Sequence, residues 1–385
     1  MIYLDHSATT PLDSRVLEAM KPYLEHDFGN ASSIYRAGQE ARKAVEDARE
    51  KVANLLGAKP KEIIFTSGGT ESNNTAIKGV AALHEGGHII TSAIEHPAVL
   101  KVVKWLEKRG FSATYIEVGS DGIVDPDDVR KAIRRETFLI TIMHANNEVG
   151  TIQPIDEIAR IAHENDIVFH TDAVQTVGKI DIDVNRMGID LLSLSGHKLY
   201  GPKGVGCLFI RKGLKIEPFM HGGHQEWGKR AGTENVPGIV GLGRAAEIAK
   251  DEMHEEARRI RELRDRLEAG IAERITDVLF NGDRKQRLYS ISNICVKYVE
   301  GEAMLLNLDF HGIAASSGSA CTSGSLEPSH VLLAMGISPE IAHGSLRFSL
   351  GRSNTVQDID KVLEVLPPIV EKLREMSAFP RQSTS

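Results

Sequence analysis

Seven short runs rich in branched and aromatic residues recur between about residues 60 and 210: EIIFTS, HIITS, ATYIEV, FLITIM, IVFHTD, DLLSLS and GCLFIR. The stretches between them, among them ESNNTAIKGVAALHE, PAVLKVVKWLEKRG and IDEIARIAHEND, place apolar residues at helical spacing. Strands separated by helices join in the same direction through crossovers, so this alternation predicts an α/β protein with a mainly parallel seven-stranded sheet covered by helices. Beyond the Gly-rich segment HGGHQEWGKRAGTENVPG, a heavily charged helical pattern runs over roughly 238–275. The pattern then becomes mixed: strand-like ISNICVKYV, a helix near 302–310, the loop SSGSACTSGSLEPSH, LRFSL, and a closing helix over 356–376. The expected division is a large domain over residues 14–255. A smaller α+β domain is formed from 1–13 and 256–385 and carries the Cys321 loop at about 316–330.

A chain of 385 residues with 41% hydrophobic and 26% charged residues can bury a sizeable core. Its net charge of -7 and its mixed-sign helices argue against a nucleic-acid partner. No run has the length of a signal peptide or a membrane span, so the expected place is the cytoplasm, off the membrane. The three cysteines, Cys207, Cys295 and Cys321, are odd in number and far apart. They suit neither a disulfide framework nor a zinc site, and a reduced compartment fits them. Cys207 and Cys295 fall inside apolar runs and read as small core residues. His221 and His224 are too few to make a metal site, and none is expected.

In open α/β sheets ligands bind beyond the carboxyl ends of the strands, which directs attention to the polar residues there. TSGGTESNN places Gly69 and Thr70 at a helix start suited to a phosphate, although Thr70 could equally be an ordinary N-cap. Asp172 ends IVFHTD, with Gln175 three residues on; a carboxylate there can keep a cofactor ring nitrogen protonated, or simply cap a turn. DLLSLSGHKLYGPKGVG runs a buried strand into Ser195, His197 and Lys198. A lysine so placed can form a Schiff base, and Asp172 lies one strand-helix-strand step earlier. His96 ends a further strand, where an imidazole can stack on a flat cofactor and move protons. Asn147 is either a hydrogen-bonding amide or a turn former, and Arg347 either a carboxylate clamp or a salt-bridge partner.

Taken in order, YLDHSATT, FGNASS, FTSGGTESNN, EHPAV, HANNEVGT, HTDAVQ, SGHKLYGPKGVG, RAGTENVPG, SSGSACTSGSLEPSHVL and RFSLGR closely resemble the NifS/IscS family of cysteine desulfurases. These are enzymes of the aminotransferase fold type I that depend on pyridoxal 5'-phosphate. The resemblance implies Lys198 as the Schiff-base lysine, Asp172 as partner of the pyridine nitrogen, Gln175 as donor to the ring hydroxyl and His96 as the stacking residue. It implies Gly69, Thr70, Ser195 and His197 at the phosphate, with Thr233 reaching it from the other subunit of a homodimer. Asn147 and Arg347 would hold the substrate carboxylate. His6-Ser7 stands where relatives often carry Asn-Ala, and Gly69 where some have Ala.

The same resemblance makes Cys321 the thiol that takes sulfur from L-cysteine, releasing alanine and passing a persulfide to an iron-sulfur scaffold or another acceptor. A Ser/Gly/Ala setting suits a thiol that must act in two places. Two other enzyme readings share the pocket residues. An aminotransferase has no need of Cys321, whereas a selenocysteine lyase is separated by its turnover of cysteine. A third reading, a cofactor-retaining protein that positions a scaffold without turnover, would form no alanine.

Overall fold

The computed structural model describes residues 1–317 and 327–376. The chain opens with a short strand, β1 (Ile2–Tyr3), and two helices, α1 (Ser14–Glu25) and α2 (Arg36–Leu56). Strands and helices then alternate: β2 (Ile63–Thr66), α3 (Gly69–Ala81), β3 (Gly87–Ser92), α4 (Pro97–Glu107), β4 (Phe111–Ile116), α5 (Pro126–Ala132) and β5 (Thr137–Thr141). Next come α6 (Ile155–Glu164), β6 (Val168–Asp172), β7 (Leu191–Ser195), β8 (Gly206–Ile210) and the long α7 (Val236–Arg274). The remainder comprises β9 (Val278–Phe280), β10 (Ile291–Val296), α8 (Gly301–Phe310), β11 (Ile313–Ala314), α9 (His330–Ala334), α10 (Pro339–Ala342), β12 (Ser345–Ser349) and α11 (Val356–Met376).

All seven expected runs become strands of one sheet, ordered β2-β8-β7-β6-β5-β3-β4. The pairs β3/β4, β3/β5, β5/β6 and β6/β7 are parallel, whereas β8 is antiparallel to both β7 and β2. The reversal has a local cause. Between β7 and β8 the chain holds only the short 3-10 turn Gly196–Lys198 and a Gly/Pro-rich bend, too little for a helical crossover.

Alternate residues of these strands serve opposite faces, as a period of two requires. Ile63, Phe65, Ile90, Ile140, Leu192 and Phe209 pack with α2 and the first part of α7. Their neighbours Ile64, Ile89, Leu139, Leu191 and Leu208 pack with α3 and α4. With both faces covered, the strands read as continuous apolar runs, and β5, β7 and β8 are buried at every position.

A separate antiparallel sheet, β12-β10-β9, lies beyond α7. Its core gathers Ile294, Val296, Leu346 and Phe348 with Leu308 of α8 and Ile359, Val362 and Leu366 of α11. Helix α7 contributes to both regions: Leu242, Ala245 and Ala249 lie in the first core, Ile260, Leu263, Leu267 and Ile271 in the second. The N-terminus also bridges them. β1 pairs with β11, Asp5 bridges to Ser349, and the chain then passes to the edge of the large sheet. Among the described residues no helix is long and apolar enough to cross a membrane.

Candidate active site

Because β2, β3, β5, β6 and β7 run in the same direction, their carboxyl ends share one edge of the sheet, and the expected residues collect there. Thr66 of β2 and Ser195 of β7 both pair with Gly206 of β8, so the turn after β2 lies beside the end of β7. That closeness demands glycine at position 206, where a Cβ would stand 2.6 Å from the Gly68 Cα; at Gly69 the tight neighbour is the Val174 side chain, 2.6 Å from a Cβ, with the Ser195 Cβ at an ordinary 3.7 Å. Helix α3 then starts at Gly69, with Gly68 as its N-cap and no side chain bonded to its first N–H groups. Thr70 is therefore the second helical residue, exposed, and not the cap. His197 completes this end, its Nδ1 3.1 Å from the Thr9 hydroxyl; burial, aided by Lys198, Lys203 and Lys179, pushes its imidazole down to about 4.

Asp172 closes β6 as a buried carboxylate. Its Oδ2 accepts from Asn73 Nδ2 at 2.6 Å and its Oδ1 from the Val174 N–H at 3.0 Å. Asn73, on the buried polar side of α3 with Ser72 and Thr75, is a site residue that sequence reasoning missed; its signal was that run of polar residues on a helix face turned to the sheet. His96 is the N-cap of α4, with Nδ1 accepting from the Ala98 N–H at 3.1 Å. Burial lowers the imidazole pKa, Asp172 opposes that lowering, and Lys198 and His330 add to it, so these groups share one electrostatic neighbourhood. The Lys198 ammonium donates to the carbonyls of Ser7 and of Ala8, the latter at 2.6 Å. The buried Gln175 donates from Nε2 to the same Ser7 carbonyl at 3.0 Å. No sequence signal marks such backbone acceptors.

Toward the small sheet, Arg347 of β12 is buried and donates from Nη1 to the Asn147 carbonyl at 3.1 Å and from Nη2 to Asp5 at 2.7 Å. Its Nε–H has no partner among the described residues. The structure thus brings Asn147 and Arg347 together through the asparagine backbone. Beside them Glu148, pushed up to about 7 by burial, accepts from the Ser329 hydroxyl at 2.5 Å. His330, the next residue, bonds through Nε2 to the Glu95 carbonyl at 3.0 Å. These contacts anchor the start of α9 against the ends of β3 and β5.

Thr233 is exposed on the loop before α7, where its neighbours Gly232 and Glu234 line a small cavity with Thr66 and Ser67. Cys321 lies outside the described residues. Cys207 and Cys295 are buried, and burial raises both thiols, that of Cys295 to about 11. Among the described residues no group of three or more His, Cys, Asp or Glu side chains could hold a metal ion.

The donor set suits an anionic, flat, aldehyde-bearing cofactor: an uncapped helix start with nearby hydroxyls, a buried carboxylate with no cationic hydrogen-bond partner among the described residues, and an amine just beyond the end of β7. A mainly parallel seven-stranded sheet bearing such a cluster, with a smaller sheet beyond a shared helix, defines a protein of the aminotransferase class. The chain belongs to the aminotransferase class-V family, whose model matches residues 2–362. Over 383 residues it is 58% identical to the cysteine desulfurase IscS of Dictyoglomus turgidum, covering 99% of this chain and 97% of that protein. Among solved structures it is similar to a NifS-like protein with a TM-score of 0.91 at 41% identity, covering 97% of this chain and 100% of the other. It also resembles a structure of SspA in complex with cysteine, with a TM-score of 0.83 at 42% identity over 92% of this chain and 100% of that one.

Proposed function

We propose that the chain is a cysteine desulfurase that uses pyridoxal 5'-phosphate to convert L-cysteine to L-alanine, keeping the sulfur as a persulfide on Cys321. The observation that carries the reading is the meeting of His96, Asp172 and Lys198 at the ends of β3, β6 and β7. The start of α3, Thr70, Ser195 and His197 would hold the phosphate, His96 and Gln175 the ring, and Lys198 the aldehyde carbon. Bound there, with Asp172 at the ring nitrogen, pyridoxal phosphate supplies an electron sink for charge developing at the substrate α-carbon.

The rest falls to the chain's own side chains. Arg347 grips the substrate carboxylate with its unused N–H groups, and Asn147 flanks it. Lys198 Nζ removes the α-proton, and His96, kept neutral by burial, is the second base within reach. Cys321, as thiolate, attacks the substrate sulfur: an S–S bond forms, the C–S bond breaks, and its electron pair stays on the carbon side, where a proton completes alanine. The two other thiols are buried and raised, which leaves the role to Cys321.

The change of core along α7 supports a large domain over 14–255 and a small one from 1–13 and 256–385. A cytoplasmic homodimer, with Thr233 contributed across the interface and an iron-sulfur scaffold or another acceptor taking the sulfur, completes the proposal on the strength of the family resemblance.

The test is to incubate the protein with pyridoxal phosphate, L-cysteine and dithiothreitol and to measure alanine and sulfide together, with Cys321→Ser alongside. Equal amounts of both products, lost in the variant, are expected. A Cys321→Ser protein that desulfurates cysteine at the normal rate would falsify the nucleophile.

A further inference from the structure

We infer that Lys179 is a positioning residue of this site, acting through Gln175, whose carboxamide it holds in one orientation. The inference rests on the proposal that Gln175 donates to the ring hydroxyl of the bound cofactor. Lys179 Nζ donates to Gln175 Oε1 at 3.2 Å, while Gln175 Nε2 donates to the Ser7 carbonyl at 3.0 Å. An ammonium has only donors and a peptide carbonyl only accepts, so chemistry fixes both ends of the amide. Flipped, it would set its oxygen against the Ser7 carbonyl and its NH2 against the ammonium. In the fixed orientation the NH2 gives one hydrogen to Ser7 and keeps a second for a ligand.

The local fold is built to return Lys179 to this place. After β6 the chain coils through successive turns: the N–H groups of Thr176 and Val177 donate to the Ala173 carbonyl, and those of Lys179 and Ile180 to the Thr176 carbonyl. Gly178 makes the step between them at a φ of 76°. A Cβ there would be strained by that φ and tight in space, meeting Ala249 Cβ at 3.1 Å and Leu199 Cβ at 3.3 Å.

The surroundings do not explain the lysine as a simple ion-pair partner. Glu256, the carboxylate whose charge favours the ammonium, is engaged by Arg352 Nε at 2.6 Å. Burial pushes the ammonium down to about 8, and Arg347 adds to the lowering. His6 and His197 both feel its charge, which places it between the N-terminal segment and the phosphate end of the site. A charge kept in so unfavourable a place, with its side-chain hydrogen bond going to a site residue, is explained by that bond.

The experiment is a double-mutant cycle on the pyridoxal-phosphate-loaded protein, read as the pH midpoint of the cofactor's visible absorption change. Gln175→Ala removes a donor to the ring oxygen, makes that oxygen more basic and moves the midpoint up. Lys179→Met is expected to move it the same way by about one unit, a tenfold change in proton affinity. It should add nothing in the Gln175→Ala background, and Lys179→Arg should restore the wild-type midpoint. An equal Lys179→Met shift in both backgrounds would mean that the charge acts directly and would overturn the positioning role, as would no shift at all. If Gln175→Ala alone leaves the midpoint in place, the role proposed for Gln175 fails, and the inference fails with it. Should Lys179→Met not fold, Lys179→Ala carries the same cycle.

Discussion

Two buried arginines in this chain are used in opposite ways. Every N–H of Arg49 is taken: Nε and Nη2 reach Glu46, Nη1 and Nη2 hold Glu226 at 2.7 and 2.8 Å, and Nη1 also donates to the Ile63 carbonyl. Its guanidinium lies over the rings of Phe65 and Trp227. Glu226 and Trp227 meet it from backbone at φ of 47° and 54°, a conformation that side-chain-bearing residues rarely adopt. Arg347, equally enclosed, has hydrogen bonds to Asn147 and Asp5 and a buried Nε–H with no partner among the described residues. A guanidinium satisfied on all sides is architecture. One held by two bonds beside strand ends keeps N–H donors in reserve, which the proposed function assigns to the substrate carboxylate.

Removing each group in turn can break that comparison. Arg49→Met leaves the Glu226 carboxylate buried with no cation, holding only the Phe65 N–H, and should cost about 3–5 kcal/mol in urea unfolding while turnover per folded molecule holds. Loss of cysteine turnover with unchanged stability would reverse the assignment. Arg347→Met should do the opposite, lowering kcat/KM for cysteine by roughly 2–5 kcal/mol with a smaller effect on unfolding. Arg347→Lys should recover little of it, because an ammonium does not offer the planar fork.

The neutral buried groups sharpen the same point, since a charge survives inside only where partners meet it. His144 and His170 are pushed by burial to about 3, and among the described residues the His170 ring bonds only to hydroxyls, Thr141 at 2.7 Å and Ser193 at 3.0 Å. Between the unfolded value of about 6.5 and the folded value, the unfolded chain binds protons that the native one refuses. Stability should therefore fall as pH drops from 6.5 toward 3, by up to about 1.4 kcal/mol per pH unit for each histidine. Urea midpoints at pH 7 and pH 5 check this, and His170→Gln should flatten the slope. The smallest effect belongs to the partly exposed cluster at Asp13, which caps α1 and pairs with Arg15 and Arg352. Asp13→Ala should cost about 1 kcal/mol in thermal or urea unfolding.

Residues that write a periodic pattern were legible in advance. The seven strands follow from runs such as Leu191–Ser195, where five consecutive buried positions leave no other reading, and α7 falls within two residues of the span expected from its spacing. The two-residue strands β1 and β11 carry no pattern and were missed. His96, Asp172 and Lys198 stood out because polar side chains directly follow apolar runs. The carbonyls of Ser7 and Ala8, which receive Lys198, could not stand out, since every residue carries one. The Ser329–Glu148 contact joins positions 181 apart in the chain and becomes visible only once β5 and α9 are side by side.

Helix α7 spans 39 residues, about 58 Å at 1.5 Å per residue, and lends its first turns to one core and its last to another. Neither core can melt and leave the helix intact, because the half it exposed would be an isolated segment with a bare apolar stripe. The two cores should therefore lose their structure together. In a calorimeter the chain would show one heat-absorption peak rather than two, and a helix-breaking Pro midway along α7 would be the way to split it.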